Sequence, residues 1–270
     1  MLQNNIKIFI INLKKDTEKK EYMQKLCIKY NIHAEFIEAV EGVSLSEKGI
    51  SKIYSEKKSI DTIGRELSRG EIGCALSHKS IYEKIVNKDI EVALILEDDI
   101  FFDRKLLDIL DLKDSIEDKW DLTLLGHHTG YSREVDTRAS AWKQVNLTNK
   151  CKLSRPCEKA YGTYGYMLTN KGAKKLLLQL DTIIKPIDHY TGDSKYINLY
   201  IVNPAPIRIY EQLSENNNMQ KREKLIISES ENFSLRNILA KSIRKYDFVN
   251  SSKNYIQGLF LSLIPLRDYK

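Results

Sequence analysis

Short apolar runs alternate with longer amphipathic stretches along the chain. Residues 7–13 form a continuous apolar run rich in Ile, "KIFIINL", and residues 92–96 form another, "VALIL". Runs of this length without polar alternation are typical of strands covered on both faces, as in a parallel sheet. Further strands are predicted over residues 33–40 and 120–125, and over residues 161–168, where a turn leads into the strand.

The amphipathic stretches between these runs predict helices. Residues 14–30 carry apolar side chains at helical spacing. A longer helix is predicted over residues 69–87, because Ser68 and Glu71 form the capping-box pattern just before an apolar face. A further helix opens at residues 169–173. The alternation of strands and helices predicts an α/β fold with a mostly parallel sheet flanked by helices.

Three segments are less regular. Residues 41–64 are polar and weakly patterned, and we expect a loop with a short helix. Residues 126–155 have the character of a loop. Residues 200–209 contain two prolines, which predicts an edge strand at best, because proline cannot donate to a sheet ladder.

Length and composition bound the organisation of the chain. Its 270 residues, 42% of them hydrophobic, suffice for one large domain with a smaller appendage. We predict one large domain over residues 1–225, followed by a basic, partly apolar tail over residues 226–270. The tail carries the apolar run "YIQGLFLSLIPL", too short to span a bilayer. It is interpreted either as an anchor on an acidic membrane surface or as a helix packed on the domain.

Charge and cysteine content narrow the class of partner. The net charge of +6 fits an anionic partner, but no basic, aromatic-interleaved motif indicates nucleic acid, so none is expected. The four cysteines show no CxxC pair and no Cys/His spacing typical of zinc. With no signal-peptide pattern at the N-terminus, we expect a reduced, cytoplasmic protein. A bridge between Cys151 and Cys157 in an oxidising compartment is the alternative.

Three acids follow directly on an apolar run in "ALILEDDIFF". Glu97, Asp98 and Asp99 therefore sit at the carboxyl end of a predicted strand, the edge where open α/β sheets bind ligands. Adjacent carboxylates raise one another's pKa unless a cation or hydrogen-bond donors offset the charge. Oxygen ligands suit Mg²⁺ or Mn²⁺, which also take diphosphate oxygens. The alternative is that these acids cap the next helix or face water.

Five motifs in a fixed order carry a family resemblance. They are "IFIINLKKDTEKK", "LSRGEIGCALSH", "LILEDDI", "YGTYGYMLTNKGAKKL" and "KPID". In this order they resemble glycosyltransferase family 25, the bacterial lipooligosaccharide galactosyltransferases and their collagen-modifying relatives. The resemblance runs from about residue 7 to about residue 209. It implies a GT-A like fold, a nucleotide-sugar donor, most often UDP-galactose, and a DxD-like site for Mn²⁺ or Mg²⁺.

The resemblance also implies roles for the acids. Asp99 is expected to ligate the metal directly, and Asp98 or Glu97 to reach it through water or to bind the donor's ribose. The first of these positions is Glu, where many GT-A enzymes have Asp. His189 is expected to supply a further metal contact. Asp188 matches the family's "PxD" motif and is expected to be the general base for the acceptor hydroxyl, with a turn aspartate as the alternative.

Further donor contacts are expected at the first strand and at the long helix. Asn12 matches the family's "INL" motif, where a uracil or ribose would sit; a turn residue is the alternative. Arg69 at a helix start opposes the helix dipole, which contact with a diphosphate or with the acids would explain. Glu71 is explained as the capping acid and is also a donor-site candidate. His78 is either a core histidine or a site residue.

The remaining candidates lie in the "GTYGY" turn and the first helix. Gly162, Thr163 and Tyr164 resemble the family's "GTxGY" motif, in which glycine permits close approach to a sugar and tyrosine packs on it. A tight turn with core aromatics is the alternative. Lys15 and Lys19 stand where the family usually has Arg, and a solvated helix face is the favoured interpretation over phosphate contact.

These expectations define a function with two rivals. The first is a metal-dependent, inverting glycosyltransferase that moves a hexose, with galactose expected, from a UDP-sugar to a bacterial lipooligosaccharide. Its acceptor would be a glycolipid or oligosaccharide, reached from the cytoplasmic face of the inner membrane. The rivals are a nucleotidyltransferase or phosphohydrolase that uses the same acids, and a non-catalytic nucleotide-sugar-binding or membrane-associated protein on the same scaffold.

Overall fold

The computed structural model describes residues 6–111, 120–130, 132–142, 144–210 and 213. Within these ranges the α-helices are α1 Thr17–Lys29, α2 Glu47–Ile53, α3 Glu56–Ile63, α4 Arg69–Asn87, α5 Lys105–Asp111, α6 Asn170–Gln179 and α7 Asp188–Thr191. The strands in the same ranges are β1 Lys7–Asn12, β2 Ala34–Glu38, β3 Val92–Glu97, β4 Ile100–Phe102, β5 Leu122–Leu124, β6 Val145–Asn146, β7 Lys152–Ser154, β8 Gly165–Thr169, β9 Leu199–Asn203 and β10 Ile207–Ile209.

Eight of these strands form one sheet, in the order β2-β1-β3-β8-β5-β9-β7-β6. Strand β1 pairs in parallel with β2 and β3, and β5 pairs in parallel with β9. Strands β8 and β7 run antiparallel to both of their neighbours. Apart from these two, the strands of the sheet therefore share one direction. The expected α/β fold, a mostly parallel sheet flanked by helices, is confirmed.

Two hydrophobic clusters cover the two faces of this sheet. Phe9 and Ile95 belong to the cluster that α4 and α6 cover, whereas Ile10 and Leu94 belong to the cluster that α1 and α5 cover. Successive strand residues point to opposite faces, so a strand buried on both sides must be apolar at every position. This double burial explains the unbroken apolar runs of β1 and β3.

Helix α4 begins at a capping box and matches the predicted bounds. The Ser68 hydroxyl accepts from the Glu71 amide at 3.2 Å, and the Glu71 carboxylate accepts from the Ser68 amide at 2.8 Å. Such a cap stabilises a helix by about 1 kcal/mol, because it satisfies amides that have no partner inside the helix.

The segment that precedes α2 packs against α4 backbone to backbone. A Cβ at Gly73 would lie 2.5 Å from the carbonyl oxygen of Val40, and a Cβ at Gly42 would overlap the carbonyl oxygen of Arg69. Only glycine permits so close an approach at these two positions. The backbone of residues 40–42 therefore lies directly against the backbone of the first turns of α4.

Three predictions about the irregular segments need correction. Residues 41–64 hold two helices rather than one, because Ser46 and Ser55 each cap a helix, α2 and α3. Strand β9 is not an edge strand, since it lies between β5 and β7 inside the sheet; both prolines of this segment follow Asn203, outside the strand. Residues 126–155 contribute β6 and β7 to the sheet.

A second, two-stranded sheet pairs β4 with β10 in antiparallel register. Strand β4 begins directly after the three acids and was not predicted. The chain divides at Tyr210 into two units, and the first carries the elements named above. The boundary predicted at residue 225 and the tail over residues 226–270 lie outside the described residues and stay predictions.

All four cysteines, Cys27, Cys74, Cys151 and Cys157, are free thiols. Among the helices of the described residues, none is both long and apolar enough to cross a membrane.

Candidate functional site

The three acids lie at the carboxyl edge of the sheet, in the tight turn from β3 into β4. Ile11 is in register with Glu97, so β1 and β3 end side by side. The acids differ in exposure: the Glu97 side chain is 30% exposed, Asp99 is half-buried and Asp98 is buried. Its burial therefore sets Asp98 apart from Glu97 and Asp99.

Asp98 is held between β1 and α1. The Asn12 amide donates to Asp98 Oδ2 at 2.7 Å, and Lys19 Nζ lies 3.7 Å from Asp98 Oδ1. Burial raises the pKa of Asp98, while the Asn12 hydrogen bond and the Lys19 charge lower it. The Lys19 side chain is only 13% exposed, so the expected solvated helix face is wrong for this residue. Lys15, at 60% exposure, pairs with Glu41 and fits that expectation.

Glu97 is the outer end of a buried polar chain. The Thr163 hydroxyl donates to Glu97 Oε1 at 3.4 Å, and His78 Nε2 lies 3.6 Å from the same oxygen. His78 itself is fully buried, with Nδ1 2.7 Å from the Tyr166 hydroxyl. The Tyr166 hydroxyl is in turn 2.8 Å from that of Tyr82. This series of polar side chains runs from the core under α4 to within 3.6 Å of a carboxylate of the "EDD" motif.

Carboxylates from three separate motifs converge around Cys74 on α4. Burial raises the pKa of the Cys74 thiol well above its usual value, and four carboxylates raise it further. These carboxylates belong to Glu97, Asp188, Glu71 and Asp99. Predicted site residues on α4, in the β3–β4 turn and on α7 thus contribute negative potential at Cys74, which a cation would relieve.

Asp188 begins α7, and one of its carboxylate oxygens has no hydrogen-bond partner. Oδ1 is buried and finds none among the described residues. Burial raises the pKa of Asp188 to about 6; Lys159 opposes this rise, and Glu71 and Glu97 add to it. A carboxyl group that titrates near neutral pH suits general-base chemistry.

His189 lies next to Asp188 in α7. Burial lowers the pKa of its imidazole to about 4, and the cations Lys159, Lys185 and Arg65 contribute in the same direction. Its ring meets that of Tyr161 edge-on at 5.5 Å between centroids. His189 is therefore neutral at physiological pH, the form in which imidazole binds a metal.

Arg69 and Glu71 make structural contacts at the start of α4. Arg69 Nη1 donates to the Leu45 carbonyl at 2.5 Å, and its other terminal nitrogen pairs with Glu47. Glu71, besides capping the helix, receives Arg65 Nη2 at 2.7 Å. These contacts explain the cation at the helix start without a bound phosphate. Arg69 fastens the segment before α2 to α4.

The "GTYGY" turn packs a tyrosine ring between two glycines. Tyr164 is 5% exposed, and a Cβ at Gly126 or at Gly162 would overlap its ring. Gly162 has a φ of 98°, which L side chains rarely adopt. This geometry favours the tight-turn and core-aromatic alternative at Tyr164. Thr163, by contrast, reaches the site through Glu97.

The two histidines of the β5–β6 connection are tied to backbone. His127 is buried, with Nε2 2.9 Å from the Val202 carbonyl and Nδ1 accepting from the Thr137 amide at 3.2 Å. His128 Nδ1 lies 2.6 Å from the Thr129 carbonyl. Both rings therefore have local structural roles.

A cleft of about 670 Å³ opens where β1 and β2 end. It is lined by Leu13, Lys14, Lys15, Glu38, Ala39, Val40, Glu41, Ser44 and Leu45. Parallel strands that end at the same edge create such a crevice beside them. Asn12, predicted as a donor contact, directly precedes Leu13 of this lining, whereas the wall over residues 38–45 was not predicted. The sequence held one indication of this wall, because the strands predicted over residues 7–13 and 33–40 follow one another and, if parallel neighbours, end at the same edge of the sheet.

Residues 5–191 match the family model described as "Glycosyltransferase family 25 (LPS biosynthesis protein)". The chain belongs to glycosyltransferase family 25. The match covers every motif that carries the resemblance, from the first strand to α7. Family membership supports a nucleotide-sugar donor and a glycosyl acceptor as substrate classes.

Three relatives with similar sequences are animal proteins. Procollagen galactosyltransferase 1-B of Xenopus laevis is 31% identical over 226 residues, covering 75% of this chain and 35% of the relative. Procollagen galactosyltransferase 2 of Homo sapiens is 28% identical over 181 residues, covering 63% and 27%. A glycosyltransferase 25 family member of Drosophila melanogaster is 31% identical over 195 residues, covering 68% and 30%. The chain thus spans about a third of the length of these relatives.

Solved structures give only distant likenesses. The inositol-1-phosphate CTP transferase of T. maritima is 14% identical, with a TM-score of 0.37 and coverage of 74% of this chain and 86% of that one. A glycosyltransferase involved in the glycosylation of the PBCV-1 major capsid is 13% identical, with a TM-score of 0.30 and coverage of 64% and 65%. Likenesses of this size carry no argument about the site.

Proposed function

We propose that this protein is a metal-dependent glycosyltransferase that moves a hexose, with galactose the first candidate, from a UDP-sugar to a sugar hydroxyl. The observation that carries the proposal is the place of Glu97 and Asp99 directly at the carboxyl end of β3, with the charges of Glu71 and Asp188 near enough to raise the pKa of Cys74 together with theirs. In a chain of glycosyltransferase family 25, this arrangement at the carboxyl edge of the sheet is suited to donor and acceptor chemistry.

The cleft at the ends of β1 and β2 is the proposed seat of the nucleotide. Its volume of about 670 Å³ falls in the usual range for small-ligand sites, roughly 300–1,000 Å³. Lys14 offers positive charge to a diphosphate, whereas the charge of Lys15 is paired with Glu41. Asn12 already bonds Asp98 and the Asp16 carbonyl, so its proposed role is to hold the end of β1, which borders the cleft, against the end of β3.

The proposed metal ligands are Asp99 and Glu97, with His189 as a further ligand. Carboxylate oxygens suit Mn²⁺ or Mg²⁺. When bound, such an ion would supply charge neutralisation for the departing diphosphate. His189 is neutral at physiological pH and therefore competent as a ligand.

Asp188 is the proposed general base. The acceptor hydroxyl oxygen bonds to the anomeric carbon, the bond from that carbon to the diphosphate oxygen breaks, and the hydroxyl proton passes to Asp188. The displacement is in line and inverts the anomeric centre. Asp188 is half ionised near pH 6, and its buried Oδ1 has no hydrogen-bond partner among the described residues, so it is free to accept this proton.

We also propose an acceptor for the sugar and a location for the protein in the cell. The family's printed description names LPS biosynthesis, which supports a sugar of a bacterial lipooligosaccharide as acceptor, presented as a glycolipid or oligosaccharide. The relatives are named for procollagen, so a collagen-type peptide belongs in any acceptor panel. We propose a peripheral location on the cytoplasmic face of the inner membrane, with residues 226–270 on the acidic surface.

The test is release of UDP from a panel of UDP-sugars with each acceptor class, in Mn²⁺ and then in EDTA. Wild type is compared with Asp99→Ala, and Asp61→Ala on the exposed face of α3 is the matched control. Turnover of one sugar that EDTA and Asp99→Ala abolish, and that Asp61→Ala retains, would support the proposal and name the donor.

Other outcomes separate the rivals. Activity that neither EDTA nor the Asp99→Ala substitution changes would contradict the proposed metal site. Release of phosphate or diphosphate in place of UDP would indicate a phosphohydrolase or nucleotidyltransferase. Saturable binding of a UDP-sugar without turnover of any acceptor would indicate a non-catalytic binding protein.

A further inference from the structure

Helix α4 presents a sulfur and a nitrogen donor beside the acidic turn. Cys74 and His78 are four residues apart and share one face of the helix. Their donor atoms and a Glu97 carboxylate oxygen all lie within 4.8 Å of one another. We propose that Cys74, His78 and Glu97 form a site for a thiophilic divalent cation, with Zn²⁺ as its expected occupant.

An unpartnered buried nitrogen points into this group. His78 is fully buried, and its Nε2 has no hydrogen-bond partner among the described residues. Nε2 lies 3.6 Å from Glu97 Oε1, beyond hydrogen-bonding distance. Burying a polar atom without a partner is unfavourable, so its persistence in the core calls for a ligand at Nε2.

The spacing of the donors fits a small tetrahedral ion. Zinc bonds of about 2.3 Å to sulfur and about 2.0–2.2 Å to nitrogen and oxygen place neighbouring donor atoms about 3.4–3.6 Å apart. The separation of His78 Nε2 and Glu97 Oε1 already has this value. Side-chain shifts of about 1 Å would bring the thiol to the same spacing. Three protein ligands leave a fourth position for water or another ligand.

The second nitrogen of His78 is positioned by its neighbours. Nδ1 lies 2.7 Å from the Tyr166 hydroxyl, which the Tyr82 hydroxyl reaches at 2.8 Å. With the proton on Nδ1 and donated to Tyr166, Nε2 keeps its lone pair directed at the site. Such outer contacts fix the tautomer and the ring orientation of metal-binding histidines.

The thiol ligand distinguishes this site from the site of carboxylates and the His189 imidazole proposed beside the donor diphosphate. The carboxylates of Asp188, Glu71 and Asp99 surround Cys74 and favour a cation. Thiolate and imidazole ligands select Zn²⁺ over Mg²⁺ or Mn²⁺, which prefer carboxylates and water. Glu97 is common to both sites. The zinc inference concerns binding alone and does not depend on the proposed transferase activity.

The test uses Co²⁺ as a spectroscopic substitute for Zn²⁺ on the full chain, after removal of metals with a chelator. We expect a thiolate-to-cobalt charge-transfer band in the near ultraviolet, saturating at one equivalent and removed by Zn²⁺. Cys74→Ser should abolish the band, whereas Cys157→Ser, at an exposed cysteine, should retain it. An oxygen-only site gives no such band, so absence in the wild type, or persistence in Cys74→Ser, would overturn the proposal.

A measurement on the wild type alone covers the case in which Cys74→Ser does not fold. Alkylation of each cysteine is followed by mass spectrometry with and without Zn²⁺. At ten times its dissociation constant, Zn²⁺ should slow alkylation of Cys74 about tenfold and leave the rate at Cys157 unchanged. Equal rates at Cys74 with and without Zn²⁺ would contradict the site.

Discussion

The side-chain amide of Asn12 lies 2.7 Å from Asp98 Oδ2 and joins the ends of β1 and β3. The same amide also donates to the Asp16 carbonyl at 3.0 Å, in the turn that leads to α1. Lys19 on α1 approaches the other oxygen of Asp98 at 3.7 Å. The second acid of the "EDD" motif is thus part of the scaffold, with Glu97 and Asp99 on either side of it.

Replacing Asn12 with Ala should destabilise the fold by about 1–3 kcal/mol, because it leaves a buried carboxylate oxygen without its donor. Urea denaturation measures the change in the free energy of unfolding. Asn146→Ala on the exposed strand β6 is the matched control, and it should stay within about 0.5 kcal/mol of wild type. Equal effects at both positions would contradict a structural role for Asn12.

Asp188→Asn should lower the rate of sugar transfer by about 10²–10⁴-fold, because the amide cannot take the acceptor's proton. UDP release under saturating donor and acceptor measures the rate. Asp181→Asn, at an exposed position after α6, should retain wild-type turnover. A rate for Asp188→Asn within a few-fold of wild type would assign the base to another residue.

The same substitution should stabilise the protein at pH 8. Burial raises the Asp188 pKa from 3.8 to about 6, so the folded state disfavours the carboxylate. Stability therefore falls as pH rises from about 4 to about 6, and it stays lowered above that range. Asn removes this penalty, about 1–3 kcal/mol at pH 8, and the gain should vanish near pH 4. Thermal unfolding across pH measures it; a gain independent of pH would refute this assignment.

Gly162→Ala should destabilise the fold by at least about 1 kcal/mol. Its φ of 98° disfavours any L side chain, and the new methyl group would overlap the Tyr164 ring. Gly70→Ala is the control, because the nearest atom to its Cβ is Ser68 Oγ at 3.8 Å and alanine favours helix. Thermal unfolding should rank Gly70→Ala at or above wild type and Gly162→Ala below it.

Local signals made much of the fold predictable. The continuous apolar runs of β1 and β3 indicate burial on both faces, whatever their neighbours are. The start of α4 could be predicted from Ser68 and Glu71, because a capping box is a pattern of only four residues. The place of β9 in the sheet depends on pairing with β5 and β7, far along the chain, and the adjacent prolines pointed the other way.

The sequence indicated which residues are candidates for the site, but it did not indicate which of them lie close to one another. Glu97 and Asp99 stand out at a strand end, and Asp188 stands out through the family motif. Their convergence depends on how α7 packs near α4, which no local pattern encodes. Lys19 could not be told from its solvated neighbours, because its partner Asp98 is distant in sequence. The four-residue spacing of Cys74 and His78 was visible, but without Glu97 beside it this spacing carries no meaning.

The glycine contact between residues 40–42 and α4 has a consequence for motion. One wall of the cleft at the ends of β1 and β2 rests on the same helix that carries Cys74 and His78, with Gly42 and Gly73 in direct backbone contact. This wall is also fastened to α4, because the Val40 amide donates to Ser77 Oγ at 2.8 Å and Arg69 Nη1 donates to the Leu45 carbonyl at 2.5 Å. A displacement of this wall away from α4 would break both of these hydrogen bonds, so this side of the cleft and helix α4 are expected to move as one body.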